Sequence, residues 1–311
     1  MVLALQSHES APSDVRIRRG PDGLHLFNRK TGLNVLLDEI TVSAASWDAA
    51  PRHVSIALTN ACNLSCHYCY APKHQASLEF NQVIGWLDEL NRNGCLGIGF
   101  GGGEPTLYKR LSELCEYAAR NTSLAVSVTS HGHLLTDALI RRLAGNVHFV
   151  RISMDGVRAT YESLRGQSFT GLLERVKTVK KIASLGINFV VNAETFPDLP
   201  EAIQIAGDLG ASEFTLLPEV RAAAGLGIDE STRTSMLKWI ANYRGLLPLS
   251  ISETGANGIT ACRPFATEDG LRAHAHVDAS GILKRCSYDD DGVIISERGI
   301  MTALCRLRQR A

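Results

Sequence analysis

Very little in this 311-residue chain points toward a large or charged partner. Lysine plus arginine number 32 and aspartate plus glutamate also number 32, so no net field draws it to nucleic acid or to an anionic membrane. No apolar run reaches membrane-spanning length. Met1 to Glu9 lack the basic start and the full apolar core of a secretory signal. There is no repeat at a solenoid period. What remains is an ordinary globular composition, 45% hydrophobic and 21% charged. It is long enough for one full α/β domain plus an appendage. The short basic tail, Arg306 to Arg310, reads as a solvated end.

Eight cysteines stand out against this background. Three of them fall in Cys62-Asn63-Leu64-Ser65-Cys66-His67-Tyr68-Cys69. At this cysteine content, chance would give that spacing about 0.005 times per chain. Three thiols in a tight polar loop can close on one face of a cubane iron–sulfur cluster and leave the fourth iron open to a small chelator. The competing readings are a zinc knuckle and a redox Cys-x-x-Cys. Zinc wants a fourth nearby ligand, and His53, His67 and His74 lack the usual paired spacing. Clustered thiols of this kind belong to a reducing cytoplasm and a metal site, not to a disulfide framework.

Around the cysteines the chain is organised in steps. The first dozen residues read as a polar, disordered lead-in. Val15–Ile17, Leu24–Phe27 and Leu33–Leu37, separated by Gly20–Gly23 and Arg29–Gly32, predict a small β-meander. It serves either as a cover for an open edge of the main domain or as a docking edge for an extended peptide. From Val54 short apolar strands alternate with amphipathic helices. Strands are predicted at Val54–Leu58, Leu96–Phe100, Leu124–Thr129, Val147–Ser153, Ile187–Asn192 and Glu213–Leu217. Helices are predicted at Leu78–Asn91, Lys109–Arg120, Thr136–Leu143, Gly171–Leu185 and Pro200–Leu209. Gly94, Gly145, Gly186 and Gly210 mark helix ends. Six such steps give a parallel sheet, and each candidate motif falls just past a strand's C-terminal end, where barrel enzymes build their sites. After residue 225 the alternation stops. A helix is predicted over Ser231–Leu246 and a hairpin over 271–277 and 282–286.

The cysteine stretch, including Tyr68 before its last thiol, resembles the signature of the radical S-adenosylmethionine (SAM) superfamily. That resemblance implies an α/β fold, a partial (β/α)6 TIM-type barrel with the N-terminal β-meander and a C-terminal α+β extension. The implied division is 1–50, 51–225 and 226–311. Gly101-Gly102-Gly103-Glu104-Pro105 is similar to the family's glycine-glycine-glutamate-proline motif, which implies that Gly102, Gly103 and Glu104 hold the amino group of SAM. Ser130 and His131 stand where many relatives have Thr-Asn-Gly, so Ser130 is a ribose candidate and His131 a loop residue or a ligand contact. Ser153-Met154-Asp155-Gly156 and the later Arg165-Gly166 resemble the peptide-modifying branch, which implies cofactor contacts from Ser153 and Arg165. Asn192 is a further pocket candidate. Cys262, Cys286 and Cys305 resemble a shortened SPASM, or twitch, extension. That implies at most one auxiliary [4Fe-4S] cluster, with His274, His276, Asp289 or Asp290 as a fourth ligand. Cys95 and Cys115 read as core.

The implied chemistry is reductive cleavage of SAM at a [4Fe-4S] cluster held by Cys62, Cys66 and Cys69. The resulting 5′-deoxyadenosyl radical would modify a ribosomally synthesised peptide by crosslinking, epimerisation or backbone excision. The implied partners are a precursor peptide, a reductant such as flavodoxin or ferredoxin, and a separate leader-binding protein. Two other readings stand beside it: a radical SAM dehydrogenase of a small-molecule alcohol, and a non-catalytic iron–sulfur protein. Retention of Gly102, Gly103 and Glu104 argues against the carrier.

Overall fold

The computed structural model describes residues 13–221, 227–252, 255–260 and 262–310; the predicted lead-in lies outside them. The meander forms as expected, as β1 (Val15–Gly20), β2 (Gly23–Asn28) and β3 (Asn34–Leu37) in one antiparallel sheet. The barrel follows as β4 (His53–Thr59), α1 (Phe80–Arg92), β5 (Gly97–Gly102), α2 (Leu111–Asn121), β6 (Ala125–Ser130), α3 (Asp137–Leu143), β7 (Phe149–Ser153), α4 (Arg158–Arg165), α5 (Phe169–Val179), β8 (Ser184–Val191), α6 (Leu199–Asp208) and β9 (Glu213–Pro218). The extension contributes α7 (Glu230–Asn242), β10 (Leu249–Ile251), α8 (Gly270–Ala273), β11 (His274–Val277), β12 (Ile282–Lys284), β13 (Val293–Ile294) and α9 (Ile300–Gln309).

Period-two alternation explains the barrel wall. Val54, Ile56 and Leu58, then Ile98 and Phe100, Val126 and Val128, Val150 and Ile152 are all buried and share one hydrophobic core with the surrounding helices. In α1, Val83, Trp86, Leu87 and Leu90 supply the matching stripe at helical spacing. The alternate strand positions are small or polar: His53 and Ser55, Gly97 and Gly99, Ser127, Arg151, Asn188. An interior of that composition leaves room for a ligand above and a polar network below.

The main sheet has ten strands in the order β10-β9-β8-β7-β6-β5-β4-β11-β12-β13. The six predicted strands are its centre. Two more join them in parallel: β10 beside β9, and β11 beside β4. The predicted C-terminal hairpin is therefore hydrogen-bonded into the barrel sheet. Its first three residues, 271–273, belong to a single helical turn. Other boundaries differ from expectation, and α7 ends at Asn242, short of the predicted Leu246. The helix predicted over 171–185 stops at Val179, because Ser184–Val191 pairs with β7 and β9. Gly186 consequently lies inside a strand, not at a helix end. Helix α4 was missed, since its eight residues follow an Asp-Gly turn with no apolar run.

The meander does not cover an edge of the main sheet. It stays a separate sheet and lies against the turns that lead into β5 and β6. Arg18 Nη1 donates to Gly94 O at 2.8 Å and Arg29 Nη1 to Thr122 O at 2.7 Å. This places it at the N-terminal end of the strands, opposite the cysteine loop. Its anchor is Arg18, whose Nε donates to Glu268 Oε1 at 2.8 Å; the two side chains are 1% and 3% exposed. No helix among the described residues is long and apolar enough to cross a membrane.

Removing Arg18 leaves buried Glu268 with only the Arg52 guanidinium, 3.5 Å away, and breaking a buried ion pair is costly. Arg18→Ala should therefore destabilise the protein by about 3–5 kcal/mol in urea unfolding. The double variant Arg18→Met/Glu268→Leu should recover part of that loss, because Arg52 then loses its carboxylate. A single variant as stable as the parent would show that the meander is not anchored by this pair.

Candidate active site at the barrel rim

The cysteine loop leaves the end of β4 and is tied down on three sides. The first tie is backbone: Gly103 N donates to Thr59 O at 2.7 Å and Glu104 N to Ala61 O at 2.8 Å. This approach is why glycine stands there. A Cβ on Gly102 would lie 2.3 Å from Thr59 O, and one on Gly103 would lie 2.4 Å from Ala61 O. Gly102 also has φ of +131°, which side-chain-bearing residues rarely adopt. Gly101 differs from both, because a Cβ there would meet open space.

The second tie runs through Glu104, which is 1% exposed. Its Oε1 accepts from Thr106 N at 3.1 Å, Thr106 Oγ1 at 2.7 Å and Ser130 Oγ at 2.8 Å. Its Oε2 accepts from His131 N at 2.9 Å. The His131 ring is 2.9 Å from Asn63 Oδ1 and 3.4 Å from Glu104 Oε2. Burial holds the His131 pKa below its ordinary value against the pull of Glu104, so the ring is neutral near pH 7. His131 is thus neither a solvent-facing loop residue nor a free ligand contact. It joins the cysteine loop to the glycine-rich turn.

The third tie is a second buried carboxylate. Asp155, fully buried, accepts from Tyr68 Oη at 2.7 Å, from Val190 N at 2.7 Å and from Arg165 Nη2. Burial works against the Arg165 charge, but Asp155 beside it more than offsets that and raises the pKa above its ordinary value. The Tyr68 hydroxyl is pushed well above its ordinary pKa by burial and by Asp155.

The three thiols sit together on this braced loop. Leu64 N donates to Cys62 Sγ at 3.4 Å. The Cys62 pKa is raised chiefly by burial, with Glu104, Cys69 and Cys66 adding to it. Among the described residues no three Cys, His, Asp or Glu side chains gather around a point for a single metal ion. A cubane asks for something else, thiolates spread over separate irons, and three neighbouring thiols with an amide donor on one of them suit that.

Residues 56–204 match the model of the radical SAM superfamily. The match takes in just under half of the chain, from β4 to α6. It is 34% identical over 207 residues to the sporulation killing factor maturation protein SkfB of Bacillus subtilis (strain 168), covering 63% of this chain and 48% of SkfB. It is 29% identical over 153 residues to the Fe-coproporphyrin III synthase of Methanosarcina barkeri, covering 46% of this chain and 38% of that protein. The chain therefore spans half or less of the length of these two curated relatives. Among solved structures, Streptococcus suis SuiB bound to S-adenosylmethionine superposes with a TM-score of 0.68, covering 89% of this chain and 83% of SuiB at 14% identity. That likeness is one of fold: the partial radical SAM barrel with extensions.

Several polar atoms on the rim of this barrel are left over. Arg165 Nε and Asn188 Oδ1 are buried with no protein partner. Ser153, paired in register with Asn188, has no side-chain hydrogen bond among the described residues. The other predicted contacts are already engaged: Ser130 with Glu104 and with Gly132 N at 2.9 Å, Asn192 with Glu219 at 2.8 Å and with the Glu194 and Thr195 amides. Sequence reasoning missed Asn63, Thr106, Asp155 and Asn188. The one legible signal was Asn188, a lone amide in the apolar strand Leu185–Val191.

In the extension, Cys262 and Cys305 are exposed and Cys286 is partly buried. As at the cysteine loop, no three ligating side chains of the extension gather around a single metal ion among the described residues. Cys286 Sγ lies 3.3 Å from Asp289 Oδ1, whereas Asp290 is exposed. His274 and His276 face the barrel instead: His276 Nδ1 is 2.8 Å from Ser55 Oγ, and His274 stacks on His53 at 5.6 Å. Tyr288 packs on Tyr70 at 4.7 Å, next to the cysteine loop.

Deleting the Glu104 carboxylate would orphan buried donors of Thr106, Ser130 and His131. Glu104→Ala should cost about 3 kcal/mol or more, at about 1–3 for each orphaned group, and Ser130→Ala about 1. Urea unfolding of the iron-free protein measures both. A Glu104→Ala variant of parental stability would make this carboxylate a ligand group only.

Proposed function

We propose that this chain is a radical SAM enzyme that modifies a ribosomally made peptide. The observation that carries the reading is one rim that combines a braced three-thiol loop with unpaired polar atoms and open space at Gly101. An orphaned buried donor, an orphaned buried acceptor and a free hydroxyl are what a zwitterionic nucleoside ligand would satisfy.

In this reading Cys62, Cys66 and Cys69 hold a [4Fe-4S] cluster, and SAM lies along Gly101–Gly103. When bound, the pair supplies a 5′-deoxyadenosyl radical that takes a hydrogen atom from substrate. Arg165 Nε receives the carboxylate of the ligand, while Ser153 and Asn188 receive its hydroxyl groups. Glu104 keeps a lone pair on Oε2 for the ammonium, though its larger duty is to hold the rim. Tyr68 fixes the loop through Asp155, so the reacting centre does not drift relative to β7 and β8.

Two comparisons support the substrate class. SkfB is a maturation protein for a killing factor, and SuiB has been solved bound to its precursor peptide SuiA. We further propose a flavodoxin- or ferredoxin-type reductant, a separate leader-binding protein and a cytoplasmic location. The one auxiliary cluster stays within the proposal, with Cys262, Cys286 and Cys305 as thiol candidates and Asp289 the best-placed oxygen ligand.

Anaerobically reconstituted protein with dithionite should convert SAM to 5′-deoxyadenosine and methionine. The triple variant Cys62→Ala/Cys66→Ala/Cys69→Ala should form none, and detectable product would overturn the site. If the extension holds a cluster, that variant keeps about four iron per chain; a folded variant without iron would remove the auxiliary cluster. A short peptide encoded beside this gene should gain a mass change stoichiometric with 5′-deoxyadenosine. Turnover only on a small alcohol would replace the peptide reading with the dehydrogenase.

A further inference from the structure

The three ties on the cysteine loop stop at Tyr68. They hold Thr59, Ala61, Asn63 and Tyr68, so the last thiol, Cys69, lies just beyond them. Its amide donates to Cys66 O at 3.2 Å. After it, residues 70–75 form no backbone–backbone hydrogen bond among the described residues. Pairing resumes where Asn60 N donates to Ala76 O at 3.0 Å. An exit without backbone bonds is the part of a loop that opens first. Pro72, Lys73, His74 and Gln75 within it are exposed, so something else has to hold it.

The hold comes from the extension. Tyr70 meets Tyr288 with ring centroids 4.7 Å apart and the planes tilted by 59°, a geometry that aromatic pairs favour. The Ser287 side chain sits by the Tyr70 hydroxyl. Cys69 and Cys286 both lie within electrostatic reach of the two hydroxyls. The Tyr288 segment is itself tied: Cys286 N donates to Asp289 Oδ2 at 3.2 Å and Asp289 N to Cys286 O at 3.4 Å. The other holds on the exit are slighter. Ala71 is buried but small, and the contact of His74 with Ser280 Oγ, at 3.3 Å, is exposed.

We propose that Tyr288 is a positioning residue for the cysteine loop. Its ring fixes Tyr70, and Tyr70 fixes the backbone that carries Cys69, so the third thiol keeps its place beside Cys62 and Cys66. The extension is then a working part of the metal loop, whether or not its own cysteines hold a cluster. The coupling is reciprocal: loosening either ring loosens the segment that carries the other. The consequence for a cluster rests on the radical SAM reading; the consequence for the loop does not.

The test is tryptic nicking of the folded, iron-free full chain, read by mass spectrometry at two places. Lys73 lies in the exit and Arg285 beside the Tyr288 segment, and both are exposed. Tyr288→Ala should speed nicking at Lys73 about three- to tenfold, the range that loss of an aromatic pair gives. Tyr288→Phe should restore the parental rate. Tyr70→Ala should speed nicking at Arg285 to a similar degree, and it reports even if Tyr288→Ala is loosened throughout. In the reconstituted protein, iron loss to a chelator should quicken in Tyr288→Ala and not in Tyr288→Phe. Parental nicking at Lys73 in Tyr288→Ala, or at Arg285 in Tyr70→Ala, overturns the proposal. So does a Tyr288→Phe variant that behaves like the alanine one. A parent that takes up no iron would instead sink the radical SAM reading and leave the nicking result standing.

Discussion

A carboxylate taken out of water must be fully hydrogen-bonded or be neutralised, and the barrel rim is built around that requirement at Glu104. Four donors converge on it from two segments, the turn after β5 and the end of β6. One of the donating residues, His131, reaches on to Asn63 in the cysteine loop. Three strand ends that share no sequence are thus fixed relative to one another by one side chain. Asp155 repeats the device on the far side, gathering Tyr68, Arg165 and the β8 backbone. The thiols lie between two buried anions, each satisfied by protein donors.

This arrangement separates two duties that one motif would otherwise have to combine. Backbone contact between Gly102–Gly103 and residues 59–61 sets the position of the loop. The polar atoms left unsatisfied, on Arg165 and Asn188, are those able to meet a ligand. A rim so braced is preorganised: its side chains are held in place by protein partners before anything binds.

Much of this was legible in the sequence because β/α repetition is a local signal. Strand and helix periods differ, and all six central strands were found within a few residues. The cysteine spacing and the glycine-rich turn were legible for a similar reason, since both are contiguous. What escaped is long-range. Nothing local distinguishes Asp155 as an anchor from Asp155 as a turn residue; its partners lie 87, 10 and 35 residues away. Gly186 read as a helix end because glycine serves both helix ends and strand positions with close neighbours; here a Cβ would lie 2.7 Å from the Phe149 ring. The extension was read correctly as a hairpin, but its docking beside β4 depends on pairing across more than 200 residues.

That pairing bears on how the chain is made. β4, which leads straight into the cysteine loop, is flanked by β5 and by β11. During synthesis β5 emerges some forty residues after β4, whereas β11 emerges over two hundred residues later. Until then one side of β4 is an open strand edge, the kind of surface that recruits stray chains. The nascent barrel can collapse from β4 to β9 on the ribosome, but the strand carrying the cysteine loop gains its second neighbour only once residues 274–277 have been made. A truncation well downstream of every cysteine in the loop, if it removed β11, would therefore still be felt there.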